Sequence, residues 1–217
     1  MTAEYVQYGC GLSSPEGWLN FDGSPRLRIE RLPITKDIIE ASGKTLFPRN
    51  VLYGDIVRGL PIPDGCAKAV YCSHVLEHID RTSLEVALRN TIKILKPGGV
   101  FRLVVPDLEW RARQFLGMVE QGDAKANDWF MLAAHLGEKH SLVGFKRRLT
   151  AAFGNSQHRW MWHEGSMSRI LIEAGFASVR RCEFGDAHDP MFSLVEEEGR
   201  FKVSGNRELA MEAVRPE

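Results

Sequence analysis

Three groups of residues have types and spacing suited to chemistry. His74-Val75-Leu76-Glu77-His78 sets two imidazoles beside a carboxylate. Imidazoles exchange protons near neutral pH, and with a carboxylate they also make metal ligands. Gly9-Cys10-Gly11 is a turn without side-chain bulk at its ends, so its backbone could approach a ligand closely and aim amides at it. Asp22 and Asp55 each sit immediately after, or one glycine after, a short apolar run. His158 and Asp107 are further candidates for acid–base work.

The elements that must position these groups are legible as alternating patterns. Strands are expected at Tyr5–Tyr8, Trp18–Phe21, Asn50–Tyr53, Ala67–Cys72 and Val100–Val105, with two late strands near Val179–Phe184 and Leu209–Val214. Between the fourth and fifth, Leu84, Leu88, Ile92 and Leu95 recur at helical spacing, with Thr82 and Glu85 in capping-box register and Pro97-Gly98-Gly99 as the stop. Asp107 reads as the cap of a helix with Leu108, Ala112, Phe115, Leu116 and Val119 on one face, and another helix runs from about Ser166 to Gly175. Strands alternating with helices predict an α/β fold with a mainly parallel sheet covered on both faces. In such sheets ligands gather at the carboxyl ends of the strands. A carboxylate ending the second strand can accept both ribose hydroxyls, and one ending the third can accept from an adenine amino group, so Asp22 and Asp55 together point to a nucleoside pocket. The dinucleotide fingerprint fails, because its third glycine is Ser14 and Asp22 comes too early for the expected acid. A nicotinamide enzyme is therefore disfavoured.

Length and composition set the outer bounds. The 217 residues suit one domain spanning 1–217, with a lid-like insertion at about 123–165 that carries His140, Lys146-Arg147-Arg148, Trp160 and Trp162. Lysine plus arginine equals aspartate plus glutamate at 28 each, which gives no field to make nucleic acid or an anionic membrane a primary partner. No apolar stretch approaches the roughly 20 residues of a membrane span. Cys10, Cys66, Cys72 and Cys182 form no Cys-x-x-Cys pair, and the start Met1-Thr2-Ala3-Glu4 lacks a secretory pattern, so reduced thiols and a cytoplasmic location are expected.

Five segments in register resemble the class I S-adenosylmethionine-dependent methyltransferases, type 11-like: Tyr8–Gly11, Gly17–Asp22, Leu60–Asp64, Ser73–Ile79 and Leu95–Val100. His158-Arg159-Trp160-Met161 and Glu173-Ala174-Gly175-Phe176 further resemble a subgroup associated with sugar and polysaccharide assembly. The resemblance implies a Rossmann-like, doubly wound seven-stranded sheet with its last strand antiparallel. It implies S-adenosylmethionine across Gly9, Cys10 and Gly11, the ribose on Asp22, the adenine on Asp55 with Ile56, and the methionine end or substrate at Ser73 and His74; S-adenosylhomocysteine would be the product. Here the segment from Gly11 to Asp22 is shorter than the usual helix plus strand.

The implied reaction is methyl transfer to a small-molecule or glycan acceptor, at oxygen, with His74, His78, His158 or Asp107 as the catalytic base. The alternatives are a non-catalytic cofactor-binding module and a zinc hydrolase, since His-x-x-Glu-His is the order of inverted zinc peptidases. A Glu-x-x-Glu-His segment at this place binds a divalent ion in methyltransferases of phenols and RNA ends, and here His74 replaces its first acid. The reading preferred from sequence assigns no metal and gives Glu77 a structural and electrostatic role.

Overall fold

Side-chain alternation along the strands decides the architecture. In the computed structural model, which describes residues 4–32, 45–137 and 157–217, Val70 and Cys72 of one strand enter one core while Ala69 and Tyr71 enter another. Phe101, Leu103 and Val105 divide from Val104 in the same way, as do Leu209, Met211 and Ala213 from Ala210. Two apolar faces require two covering layers.

The strands are β1 (Tyr5–Tyr8), β2 (Leu19–Asp22), β3 (Val51–Tyr53), β4 (Ala67–Ser73), β5 (Leu95–Pro106), β6 (Ala177–Arg181), β7 (Lys202–Val203) and β8 (Asn206–Val214). Their order is β3-β2-β1-β4-β5-β8-β6, with the two-residue β7 pairing β8 off that path. The first five run parallel, and β8 lies antiparallel between β5 and β6. This is the expected α/β, Rossmann-like sheet with its last strand reversed.

The helices are α1 (Pro25–Glu30), α2 (Arg81–Ile94), α3 (Leu108–Glu120), α4 (Ala126–Ala133), α5 (Glu164–Glu173) and α6 (Glu198–Phe201). Leu84 and Leu88 of α2 pack with Met167, Ile170 and Leu171 of α5 over the first face. The second face lacks a helix between β1 and β2; the chain from Gly9 to Trp18 passes as turns. The β6–β8 connection covers it instead, through Phe192, Val195 and Phe201. Trp18 Nε1 donates to the Met191 carbonyl at 3.1 Å, and Tyr5 Oη donates to Asp189 at 3.0 Å.

Three local expectations change. The cap of α2 is Asp80, whose carboxylate accepts from Ser83 N at 2.9 Å, rather than Thr82; an ionised acceptor facing the first-turn amides also satisfies the helix dipole. The helix ends at Ile94, before Pro97-Gly98-Gly99, and those residues mark the shift in β4–β5 register between Ala67 and Ala69. On α3 it is Arg111 that is buried, while Leu116 and Val119 are more than half and half exposed at 56% and 50%. Residues 138–156 of the expected lid, with His140 and Lys146-Arg147-Arg148, lie outside the described residues, as does the start Met1-Thr2-Ala3. No helix among the described residues is long and apolar enough to cross a membrane.

Arg102 fastens the β6–β8 connection to the sheet. It is 1% exposed and meets Glu196 at 2.8 Å, Glu212 at 2.6 Å, Asp186 at 2.9 Å and the Glu183 carbonyl at 3.0 Å. Removing it strands the buried Glu196 carboxylate. Arg102→Met is expected to cost about 3–5 kcal/mol, read as a lower urea midpoint at unchanged slope.

Candidate active site

The carboxyl ends of β1 and β4 border a polar crevice, and those of β2 and β3 carry Asp22 and Asp55. Gly9 and Gly11 hold φ at +66° and +57°, the left-handed region that favours glycine. A Cβ on Gly9 would stand 2.0 Å from Val75 Cγ2, so the turn packs directly on the chain leaving β4. Cys10 N donates to the Phe21 carbonyl, tying the turn to β2. Asp22, nearly buried, accepts from Gly11 N at 2.9 Å and Ser24 N at 2.7 Å. Two of its roughly four lone-pair sites are used, which leaves acceptors for a ligand. Asp55 accepts from Val57 N at 2.9 Å and is one-third exposed, while Ile56 is core and its carbonyl accepts from Asn90 at 2.7 Å.

Beside Gly9 the crevice narrows to a cavity of about 20 Å³ lined by Gln7, Cys10, Tyr71, Ser73, Glu197 and Arg200. That is room for one water. Tyr71 Oη and Ser73 Oγ are buried there with no hydrogen-bond partner beyond one another among the described residues. Burial drives the Cys10 thiol up to about 12, with the Asp22 charge adding to it, so Cys10 is a packing group rather than a nucleophile.

The histidine motif is not helical. His74 has φ +54°, and Leu76–His78 form a single 3-10 turn. The arrangement of two histidines on one helix face is therefore absent, because the chain turns sharply on leaving β4. His74 Nε2 lies 2.9 Å from the Arg200 carbonyl and His78 Nδ1 lies 3.2 Å from the Gln157 carbonyl. A carbonyl only accepts, so each of those nitrogens carries a proton. His74 Nδ1 is 3.3 Å and His78 Nε2 3.8 Å from Glu77 Oε1. Burial works to lower the His74 pKa, but the Glu77 carboxylate and the Arg200 carbonyl outweigh it and the net shift is upward.

His158 joins this group from far along the chain. The Glu77 carbonyl accepts from Arg159 N at 2.7 Å and Trp160 N at 3.2 Å, which fixes the segment carrying it. Its ring packs on those of His78 and His135, with centroids 5.2 and 4.6 Å apart. Burial pushes its pKa down to about 4. His74, His78 and His158 thus come together. Asp107 stands apart as the α3 cap, with one oxygen accepting from Trp110 N at 3.1 Å and the other from Arg181 at 2.9 Å.

A cavity of about 310 Å³ opens beside the histidines, lined by His74, Arg111, Trp129, His135, His158 and Glu208 among others. Arg111 and Glu208 form a buried two-point ion pair at 2.8 and 3.1 Å. Sequence reasoning missed Arg111, Trp129, His135 and Glu208; the available signal was Arg111 one turn after Asp107 on α3, its side chain bonded to the Asp107 carbonyl at 3.2 Å.

The sequence family described as "methyltransferase domain" matches residues 20–180. The chain belongs to that family. Its fold resembles a chain of the Haloferax volcanii complex containing the Trm112 methyltransferase activator, at 16% identity, 100% coverage of this chain, 83% of the other and TM-score 0.50. It also resembles the methyltransferase (CMeT) domain of the citrinin polyketide synthase, at 14% identity, 99% and 46% coverage and TM-score 0.50. A SAM-dependent methyltransferase from Archaeoglobus fulgidus aligns at 17% identity, 98% and 86% coverage and TM-score 0.49. No curated protein matches the chain.

The protein is thus a methyltransferase, an enzyme whose cofactor is S-adenosylmethionine. The crevice suits that group chemically: Gly9, Cys10 and the buried hydroxyls of Tyr71 and Ser73 line it, and the Asp22 carboxylate at the end of β2 is tied to the same glycine turn through Gly11 N. In this methyltransferase Gly9 and Gly11 share a backbone conformation but differ in surroundings, since a Cβ on Gly11 meets nothing within 4 Å. Gly11→Ala should cost only backbone strain, about 1–2 kcal/mol. Gly9→Ala should cost clearly more, and adding Val75→Ala should recover about 1 kcal/mol of that difference in a double-mutant cycle by urea unfolding.

Proposed function

We propose that this methyltransferase acts on a hydroxyl oxygen of a small or carbohydrate-linked acceptor bound in the 310 Å³ cavity. The observation that carries the reading is the adjacency of that cavity to the crevice: Ser73 lines the crevice, and His74, the next residue, lines the cavity. Trp129 offers a flat apolar surface to the carbon-bearing face of a sugar ring, and Ser204 and Asn206 offer hydrogen-bonding groups in the same cavity. These features support membership of the sugar and polysaccharide subgroup. A cytoplasmic location fits buried, unpaired Cys10, Cys72 and Cys182.

Gly9, Cys10 and Gly11 would hold the cofactor through backbone, Asp22 its ribose, Asp55 with Ile56 its adenine, and Ser73 with His74 its methionine end. S-adenosylmethionine supplies a sulfonium-bound methyl group. The protein's work is then to align the acceptor oxygen in line with that methyl, exclude water and take up the hydroxyl proton. His74 and His158 line the cavity and His78 packs against His158, which supports these three as the candidates to take up that proton. Because the crevice now admits one water, Glu197 and Arg200 must draw back as the cofactor enters.

Calorimetry with S-adenosylmethionine and S-adenosylhomocysteine tests the donor side, and submillimolar binding of both is expected. Transfer of isotope-labelled methyl to a panel of monosaccharides and nucleotide-linked sugars tests the acceptor side. Label on nitrogen or carbon acceptors alone overturns the oxygen assignment. Binding without product on any acceptor favours a non-catalytic module.

A further inference from the structure

We propose that Glu77, His78 and His158 form a binding site for a divalent cation of the zinc or cobalt type. The starting observation is Glu77. Its side chain is fully buried; His74 Nδ1 stands 3.3 Å from Oε1, and Oε2 has no hydrogen-bond partner among the described residues. A buried carboxylate so sparsely partnered requires a compensating cation or a proton. One donor atom from each of Glu77, His78 and His158 lies within 4.8 Å of the others. Ligands of a tetrahedral ion with bonds of about 2.1 Å stand about 3.4 Å apart. The Glu77 Oε1 to His78 Nε2 separation of 3.8 Å is already close to that.

The surrounding groups orient the donors as metal ligands require. His78 Nδ1 gives its proton to the Gln157 carbonyl, which leaves the Nε2 lone pair toward Glu77. His158 Nδ1 lies 3.2 Å from the Met161 sulfur, an acceptor, and with the proton on Nδ1 the Nε2 lone pair can serve a metal. The Arg159 and Trp160 amides hold the His158 segment on the Glu77 carbonyl, so the third ligand is fixed by backbone. Two imidazoles and one carboxylate suit zinc, cobalt or manganese better than magnesium or calcium. His158 also lines the 310 Å³ cavity. Three protein ligands leave a position for a water or, resting on the reading of that cavity as the acceptor pocket, for an acceptor hydroxyl.

The competing account is a plain ion pair between His74 and Glu77 at 3.3 Å. The full chain, stripped with chelator, is titrated with Co²⁺ followed by visible absorption and with Zn²⁺ followed by calorimetry. One equivalent should bind, with ligand-field bands for cobalt and a raised melting temperature for zinc. Glu77→Gln and His158→Ala should each weaken binding by about a hundredfold or more, while the exposed His188→Ala should stay within about twofold of wild type on the same scale. Circular dichroism and cofactor binding on the same samples show whether each variant is folded. His158→Asn serves if His158→Ala is not. The proposal is overturned if wild type binds neither ion saturably, or if Glu77→Gln and His158→Ala bind like wild type. Because cofactor binding is measured without metal, failure of the methyltransferase reading would appear separately.

Discussion

The carboxylate of Glu77 is the constraint around which the functional edge is arranged. Placing a carboxylate at zero exposure costs several kcal/mol unless a charge or proton answers it, and the fold brings His74 to 3.3 Å from it with His78 and His158 close by. Its backbone carbonyl meanwhile receives the Arg159 and Trp160 amides. That junction sets the path of the following residues: Trp162 forms a bridge with Asp107, and Leu108 N donates to the Trp162 carbonyl at 2.8 Å. Asp107 then caps α3, and α3 carries Arg111 into its pair with Glu208. The cavity wall thus descends, contact by contact, from one residue after β4.

The other wall comes from the β6–β8 connection. With no helix between β1 and β2, that connection covers the second face, and Arg102 holds it by two carboxylates, Asp186 and Glu196, and the Glu183 carbonyl. Its covering role places Glu197 and Arg200 on the crevice, the Arg200 carbonyl on His74, and Val203, Ser204 and Asn206 on the cavity. One substitution of covering elements therefore shapes both compartments and accounts for the narrowness of the crevice.

Most of the scaffold was legible because period-two burial and helical spacing are local signals. The strand ends at Tyr8, Asp22 and Tyr53 and the glycine turn follow from them. The ends of α2 were not, since Thr82 and Glu85 carry a capping box in sequence while Asp80 forms the cap. The buried arginines were also hidden. A charged residue reads as surface unless its partners are known, and those of Arg102 and Arg111 lie on β8 and the connection before it. The histidine motif misled in a related way. Its spacing suits a helix face, yet the left-handed turn at His74 removes that geometry, and the residue that completes the cluster, His158, arrives from a distant segment.

That left-handed turn has a consequence for the reaction. In an extended strand, Ser73 and His74 would simply alternate across the sheet. With φ at +54° in a non-glycine residue, which costs about 1–2 kcal/mol, the backbone swings so that Ser73 faces the crevice and His74 the cavity. The strain is held by the His74 amide on the Val104 carbonyl and its ring on the Arg200 carbonyl. Methyl donor and acceptor, on the proposed reading, meet across two consecutive residues, and the wall between them is His74 itself. The Glu77 carboxylate and the Arg200 carbonyl hold that wall by its two ring nitrogens, so one histidine ties the chain leaving β4 to the β6–β8 connection that borders the crevice.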